Sequence, residues 1–260
     1  MTRILAIHAH PDDIETLAAG TLALLARGGC AVSIVTVTAG EGGSTEHTPE
    51  ETARIRQDEG AAAAAVIGAR YGCAGVPDLS VFNDDPTRRR ITELIRAAAP
   101  DIVLAPSPAD YHPDHEAVSV LVRDGCFAAS VPNYRTGDAA PLAAIPHLYL
   151  MDPIGGRDRS GSPIDPEFGA DIAAAMDDKR RMMAQHVSQD HWVARQHGIS
   201  DHLASMERWS RRRGRTFGAG FAEGFRQYRH HPYPATPLLQ ELLGDALLVG
   251  AGGEDGGGWD

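Results

Sequence analysis

Along the first half of the chain, short unbroken apolar runs alternate with longer segments whose apolar residues return every three or four positions. Ile4–His8 is such a run and reads as a buried strand, Ile14–Arg27 carries the helical spacing, and Ala31–Thr38 is rich in β-branched residues. A helix is predicted over Pro49–Gly68, with proline in the first turn, where its missing N–H costs nothing. A strand near Tyr71–Val76, a helix over Thr87–Ala98 and a strand over Asp101–Ala105 continue the alternation. Strands that are apolar on both faces, with helices between them, predict a mainly parallel sheet with helices on both faces.

The expected fold is therefore α/β, a Rossmann-like doubly wound sheet in a single domain. After residue 130 the pattern loosens into a Pro-, Gly- and Asp-rich region interrupted by the apolar run Ile145–Leu150. Pro153–Pro166 is turn-rich and is expected to be a mobile loop. Helical spacing returns over Asp171–Gln185 and again over His191–Arg211. The domain is expected to span residues 1–249, followed by a disordered Gly-rich tail over 250–260. In doubly wound sheets ligands bind at the carboxyl ends of strands where the strand order reverses. With the order 3-2-1-4, the loops after the first and fourth strands become neighbours at that point.

Those two loops carry the chemistry. The first reads Ala9-His10-Pro11-Asp12-Asp13 and the second His112-Pro113-Asp114-His115. A hydrolytic metal ion takes three protein ligands, commonly histidine nitrogen and carboxylate oxygen, and keeps one position open. His10, Asp13 and His115 supply that set, which leaves Asp12 free as a general base on an activated water. His112 lies across the site as the cation that steadies an oxyanion, with Asp114 orienting it and raising its pKa. The plainer alternative is that Asp12 or Asp13 merely caps the helix starting at Ile14. His8 is assigned to the strand and left outside the site.

Charge narrows the class of partner. The formal net charge of -11 disfavours nucleic acid and anionic membranes, so neither is expected as a partner. The basic run Arg208–Arg215 is read as a solvated helix end. Cys30, Cys73 and Cys126 are odd in number and lack close pairing, which argues against a disulfide framework or a thiolate zinc site, and they are read as buried. No apolar stretch is long enough for a signal peptide core or a membrane span, and the expected location is cytoplasmic.

The two His/Asp clusters resemble the PIG-L/LmbE family of zinc-dependent N-acetylglucosaminyl deacetylases. Arg56-Gln57-Asp58-Glu59 is similar to that family's R-x-x-E helix motif, Val76-Pro77-Asp78 to its L-P-D segment, and Lys179 with His186-Val187-Ser188-Gln189 to its K and H-x-S-Q positions. The resemblance implies Zn2+, with other divalent transition metals permitted, held by His10, Asp13 and His115. It implies Asp12 as base, His112 paired with Asp114 as the group polarising the carbonyl, and Arg56, Asp78 and His186 as substrate contacts. The implied substrate is a small-molecule N-acetyl amino-sugar conjugate, and a homo-oligomer is permitted. Ile14 departs from the glutamate that many members carry after the Asp-Asp pair, and Glu15 follows it.

The sequence also admits four other readings. An amidase on a sugar-thiol conjugate would use the same groups. A catalytically silent sugar-binding protein would keep the fold without turnover. His8-Ala9-His10-Pro11-Asp12-Asp13 is one residue from the H-x-H-x-D-H signature of metallo-β-lactamase-like hydrolases, but Asp13 stands where the last histidine is needed. A dinucleotide-binding oxidoreductase would need G-x-G-x-x-G in the first strand-to-helix turn, which instead carries His-Pro-Asp-Asp.

Overall fold

In a computed structural model, residues 1–189, 192 and 201–250 are described. The sheet has eight strands. They are β1 (Arg3–His8), β2 (Ala31–Thr36), β3 (Arg70–Cys73), β4 (Ile102–Ala105), β5 (His147–Met151), β6 (Phe168–Asp171), β7 (Ala222–Tyr228) and β8 (Leu247–Leu248). Their order is β3-β2-β1-β4-β5-β7-β6-β8. The first five run parallel, and β7, β6 and β8 add antiparallel. The expected 3-2-1-4 reversal beside the first strand is present.

β1 shows why the parallel half forms. Every residue from Ile4 to His8 is buried, and alternate side chains enter different cores. Ile4 and Ala6 join the apolar layer beneath α1 (Asp13–Leu17), α2 (Ala19–Arg27) and α3 (Pro49–Ala65). Leu5 and Ile7 join the layer beneath α4 (Asp85–Ala98) and α5 (Pro113–Ala129). A strand sandwiched between two helical layers has no polar face to show, which is the sequence signature read above. α3 begins with a capping box between Thr48 and Glu51 and with Pro49 in its first turn.

Three segments differ from expectation. The helix predicted over Ile14–Arg27 is broken at Ala18, whose φ is -142°, into α1 and α2. The break frees the Gly20 and Thr21 amides to donate to the carboxylate of Glu223 on β7, at 2.9 and 2.7 Å. In place of a helix starting at Asp171, β6 ends there and α6 starts only at Met176, running to Met183. The turn-rich stretch expected to be mobile is internally tied: Asp158 accepts from Ser160 and Ser162, and Arg157 bridges Pro163.

The first part of the helix expected over His191–Arg211 lies outside the described residues; α7 covers His202–Phe217 and α8 Leu238–Leu243. Arg213, read as solvated, is buried and paired with Asp152. Only Cys126 of the three cysteines is buried; Cys30 and Cys73 are partly exposed. Apart from Gly250, the tail lies outside the described residues. Among the described residues, no helix is long and apolar enough to cross a membrane.

Candidate functional site

The loop after β1 is a tight turn built by its own side chains. Asp12 adopts φ 104°, a left-handed conformation that costs a non-glycine residue about 1–3 kcal/mol and is kept only where surroundings impose it. The surroundings here are Arg56, whose guanidinium donates to the carbonyls of Pro11 at 2.7 Å and Gly40 at 2.9 Å and reaches the Asp12 carboxylate at 3.4 Å. A Cβ on Gly40 would sit 2.1 Å from Arg56 Nη1, so the turn depends on that glycine as well. Neither aspartate caps α1 through its side chain. Asp13 turns back instead, and its Oδ2 accepts from the His10 amide at 2.8 Å.

The second loop precedes α5. His112 is the N-cap, and its Nδ1 accepts from the Asp114 amide at 3.2 Å. His115, one turn in, has almost no exposed surface. Its Nδ1 faces Asp110 Oδ1 at 3.1 Å, and Asp110 Oδ2 accepts from the Ile154 amide. A carboxylate on one ring nitrogen fixes the hydrogen there and leaves the other nitrogen, Nε2, as a lone-pair donor. His10 is treated the same way: its Nε2 faces Asp78 at 3.0 Å and Asp114 at 3.5 Å, so Nδ1 is the free nitrogen.

Three atoms then converge. His10 Nδ1 and Asp13 Oδ2 are 3.3 Å apart, His115 Nε2 and Asp13 Oδ2 3.4 Å, and His115 Nε2 and His10 Nδ1 3.3 Å. An ion bound tetrahedrally through bonds of about 2.1 Å places its ligand atoms about 3.4 Å apart. The donor triangle fits that edge length. Overlapping groups, His10/His112/His115, His8/Asp13/His115 and His10/Asp78/Asp114, also lie close enough to share an ion. In the first triangle both imidazoles have their far nitrogens already held by carboxylates.

The electrostatics follow from crowding. Burial opposes a charge on His10, but hydrogen bonds to Asp114, Asp13 and Asp78 outweigh it and hold its pKa well above the usual 6.5. Burial opposes ionisation of Asp13 too, yet the neighbouring His115 and His8 rings and hydrogen bonds from His10 and His8 keep it well below the ordinary carboxylate range. His112 behaves oppositely: burial, with His10 and His115 beside it, lowers it to about 4. Burial and the two neighbouring imidazoles thus favour a neutral ring over the expected His112 cation, and with Nδ1 accepting from the Asp114 amide its hydrogen is on Nε2.

The crevice gathers Asp12, Asp13, His10, His112, Asp114, His115 and Asp78, but not every expected pairing. Asp114 does not reach His112 through its carboxylate; that group accepts from the Leu79 amide at 2.8 Å and faces His10. Arg56 is buried under the turn and pairs with Asp12, while Glu59 instead accepts from Ser188. Asp78 accepts from the Gly42 and Leu79 amides besides facing His10; burial pushes its pKa up, but the hydrogen bond and charge of His10, with the Gly42 amide, outweigh this and bring it down to about 2. His186 is buried 3.5 Å from Glu15. Arg56 and His186 are thus buried among internal partners, whereas Asp78 is only half-buried and faces His10.

Two residues were missed. His8 lies 2.6 Å from Asp13 Oδ2, and Asp110 holds His115. The period of two in His8-Ala9-His10 was a usable signal for the first; Asp110 had none beyond proximity to the second cluster.

The sequence profile of the PIG-L family, described as GlcNAc-PI de-N-acetylase, matches residues 5–126, which include both loops. The chain is 27% identical over 209 residues to the 4-oxalmesaconate hydratase of Pseudomonas putida, covering 75% of this chain and 79% of that one. It is 32% identical over 237 residues to the 1D-myo-inositol 2-acetamido-2-deoxy-alpha-D-glucopyranoside deacetylase of Nakamurella multipartita, covering 72% and 79%. Its fold is similar to that of the N,N'-diacetylchitobiose deacetylase of Pyrococcus horikoshii, at 24% identity and TM-score 0.74 over 91% of this chain and 88% of that one. Two His/Asp loops flanking the reversal of a parallel sheet, a matching profile and a relative this similar over most of its length lead to one conclusion: the chain belongs to the PIG-L family.

Proposed function

We propose that the protein is a metal-dependent N-deacetylase that hydrolyses the acetamide of a small N-acetylglucosamine conjugate, releasing acetate and the free amino sugar. The donor triangle of His10, Asp13 and His115, with edges of 3.3–3.4 Å, carries this reading. Two histidines and one carboxylate suit zinc, which when bound supplies Lewis-acid activation of a water and of the amide carbonyl. The remaining work belongs to the chain. Asp12, oriented by Arg56 and by its constrained turn, takes a proton from the attacking water and passes it to the departing amine. His112 donates its Nε2 hydrogen to the oxyanion of the tetrahedral intermediate, as a neutral donor whose tautomer the Asp114 amide sets. Asp114 and Asp78 hold His10 from behind. A sugar-thiol conjugate would be cleaved by the same groups.

The relative named as a hydratase supplies a second reading, addition of water to an activated double bond in an oxo-acid. We place it second on electrostatic grounds. Asp12, Asp13, Asp78, Asp110 and Asp114 crowd the centre, and the nearby Arg56 is engaged by carbonyls. A polycarboxylate meets repulsion there, and an uncharged acetamide does not. The test is amine release, read with fluorescamine, from a panel of N-acetylglucosamine conjugates by zinc-loaded wild type and His115→Ala. Release that vanishes in the variant supports deacetylation. No release, with loss of ultraviolet absorbance from an unsaturated oxo-acid, replaces it with hydration. Sugar binding without either reaction makes the protein a binding protein.

A further inference from the structure

We propose that His8 is a positioning residue that holds Asp13 in its metal-facing orientation; this rests on the reading of His10, Asp13 and His115 as metal ligands. His8 ends β1 and has no exposed surface. Its Nδ1 lies 2.6 Å from Asp13 Oδ2, the oxygen that also forms the donor triangle. Two atoms that close cannot comfortably ligate one ion, because bonds of about 2.1 Å would subtend only about 76° between them, far from tetrahedral. The contact is a hydrogen bond. An ionised carboxylate oxygen only accepts, so Nδ1 carries the hydrogen. The Ala9 amide N–H also points at Nδ1, from 2.9 Å, and competes for it, but the closer, ionised carboxylate is the stronger partner and takes the ring hydrogen.

That choice strands the other nitrogen. Nε2 of His8 is buried with no hydrogen-bond partner. A leucine or valine would fill a strand position of this kind without burying an unpaired acceptor, so packing alone does not account for a histidine here. The ring also packs edge-on against His115, centroids 4.7 Å apart, and so touches two of the three triangle residues. Together the His8 ring N–H and the His10 amide occupy two directions around Oδ2. Asp13 is thereby held with Oδ2 at the corner of the donor triangle.

Asparagine and glutamine separate the two ring nitrogens, since an asparagine amide nitrogen falls near the position of Nδ1 and a glutamine amide nitrogen near that of Nε2. Zn2+ affinity, by competition with a chromophoric chelator, and the visible spectrum of Co2+-loaded protein are measured for wild type, His8→Asn, His8→Gln and His8→Leu. Thermal melts of the metal-free proteins check folding. His8→Asn is expected to stay near wild type. His8→Gln and His8→Leu are expected to lose about 10–100-fold in Zn2+ affinity, with Co2+ absorption weakening as Asp13 leaves that corner of the triangle. Unchanged affinity in all three variants overturns the proposal, and so does an equal loss in His8→Asn and His8→Leu. Failure of the wild type itself to bind Zn2+ overturns the metal-centre reading, and with it this one.

Discussion

Asp12 combines a carboxylate 3.4 Å from the Arg56 guanidinium with a backbone at φ 104°. Asparagine tolerates that conformation and keeps the size of the side chain but cannot accept a proton. Asp12→Asn should therefore cut turnover by about 10²–10⁴-fold while metal content, read by elemental analysis, is unchanged. Metal lost together with activity would make Asp12 a ligand. His112 gives a sharper contrast. With its pKa near 4, it remains a neutral donor through the neutral range, and a bound cation nearby would only lower it further. His112→Gln keeps an N–H donor and should leave the acid limb of the pH–rate profile where it is, whereas His112→Ala should lose about 10²–10³-fold in kcat. A shifted acid limb in His112→Gln would restore the cationic role. His10 runs the other way: its hydrogen bonds to Asp114, Asp13 and Asp78 raise its pKa and favour a proton on the ring of the metal-free protein. An ion must displace that proton, so affinity should rise with pH, and calorimetry in buffers of different ionisation enthalpy should register its release.

Among the elements, the parallel half was legible because β1 and β4 are unbroken apolar runs and α3, α4 and α5 each open on a side-chain cap with proline in the first turn. The antiparallel half was not. β7 reads Ala-Glu-Gly-Phe-Arg-Gln-Tyr, with no alternation, because Glu223 is buried inward to meet Lys179 of α6 at 2.6 Å. No local pattern reports a partner 44 positions away. Lys179 also donates to the Thr16 carbonyl at the end of α1, and Glu223 closes the start of α2, so one ion pair joins β7, α6 and the broken first helix. Lys179→Met leaves Glu223 buried without its cation and should cost about 3–5 kcal/mol in urea unfolding. A loss under 1 kcal/mol would show that the helix N-terminus alone satisfies Glu223. The site was partly legible for a related reason. Residues within each loop announce themselves by spacing, as in His10, Asp12 and Asp13 or His112 and His115. Arg56, Asp78 and His186 have partners that only the folded chain brings near.

For the whole molecule, the donor triangle draws on a loop near the start of the chain and on the head of α5, so an ion there clasps distant parts of the sheet. A ligand that binds only the folded state at 100 times its dissociation constant adds about 2.7 kcal/mol. Chelation should accordingly lower Tm in a way that added Zn2+ reverses, and His115→Ala should show neither change. The distribution of chemistry along the chain has a further consequence. Asp12, His112 and all three proposed metal ligands lie within the first 126 residues, the extent of the family profile, while β5 to β8 and the segments between them follow. On the proposed mechanism the water-activating groups therefore sit in one block of the chain, while β5 to β8 continue the sheet beyond β4. Changes confined to those later strands would leave the proposed reactive residues in place, much as a tool keeps its handle through changes of bit. Such a division suits a scaffold whose relatives include a hydratase and several deacetylases.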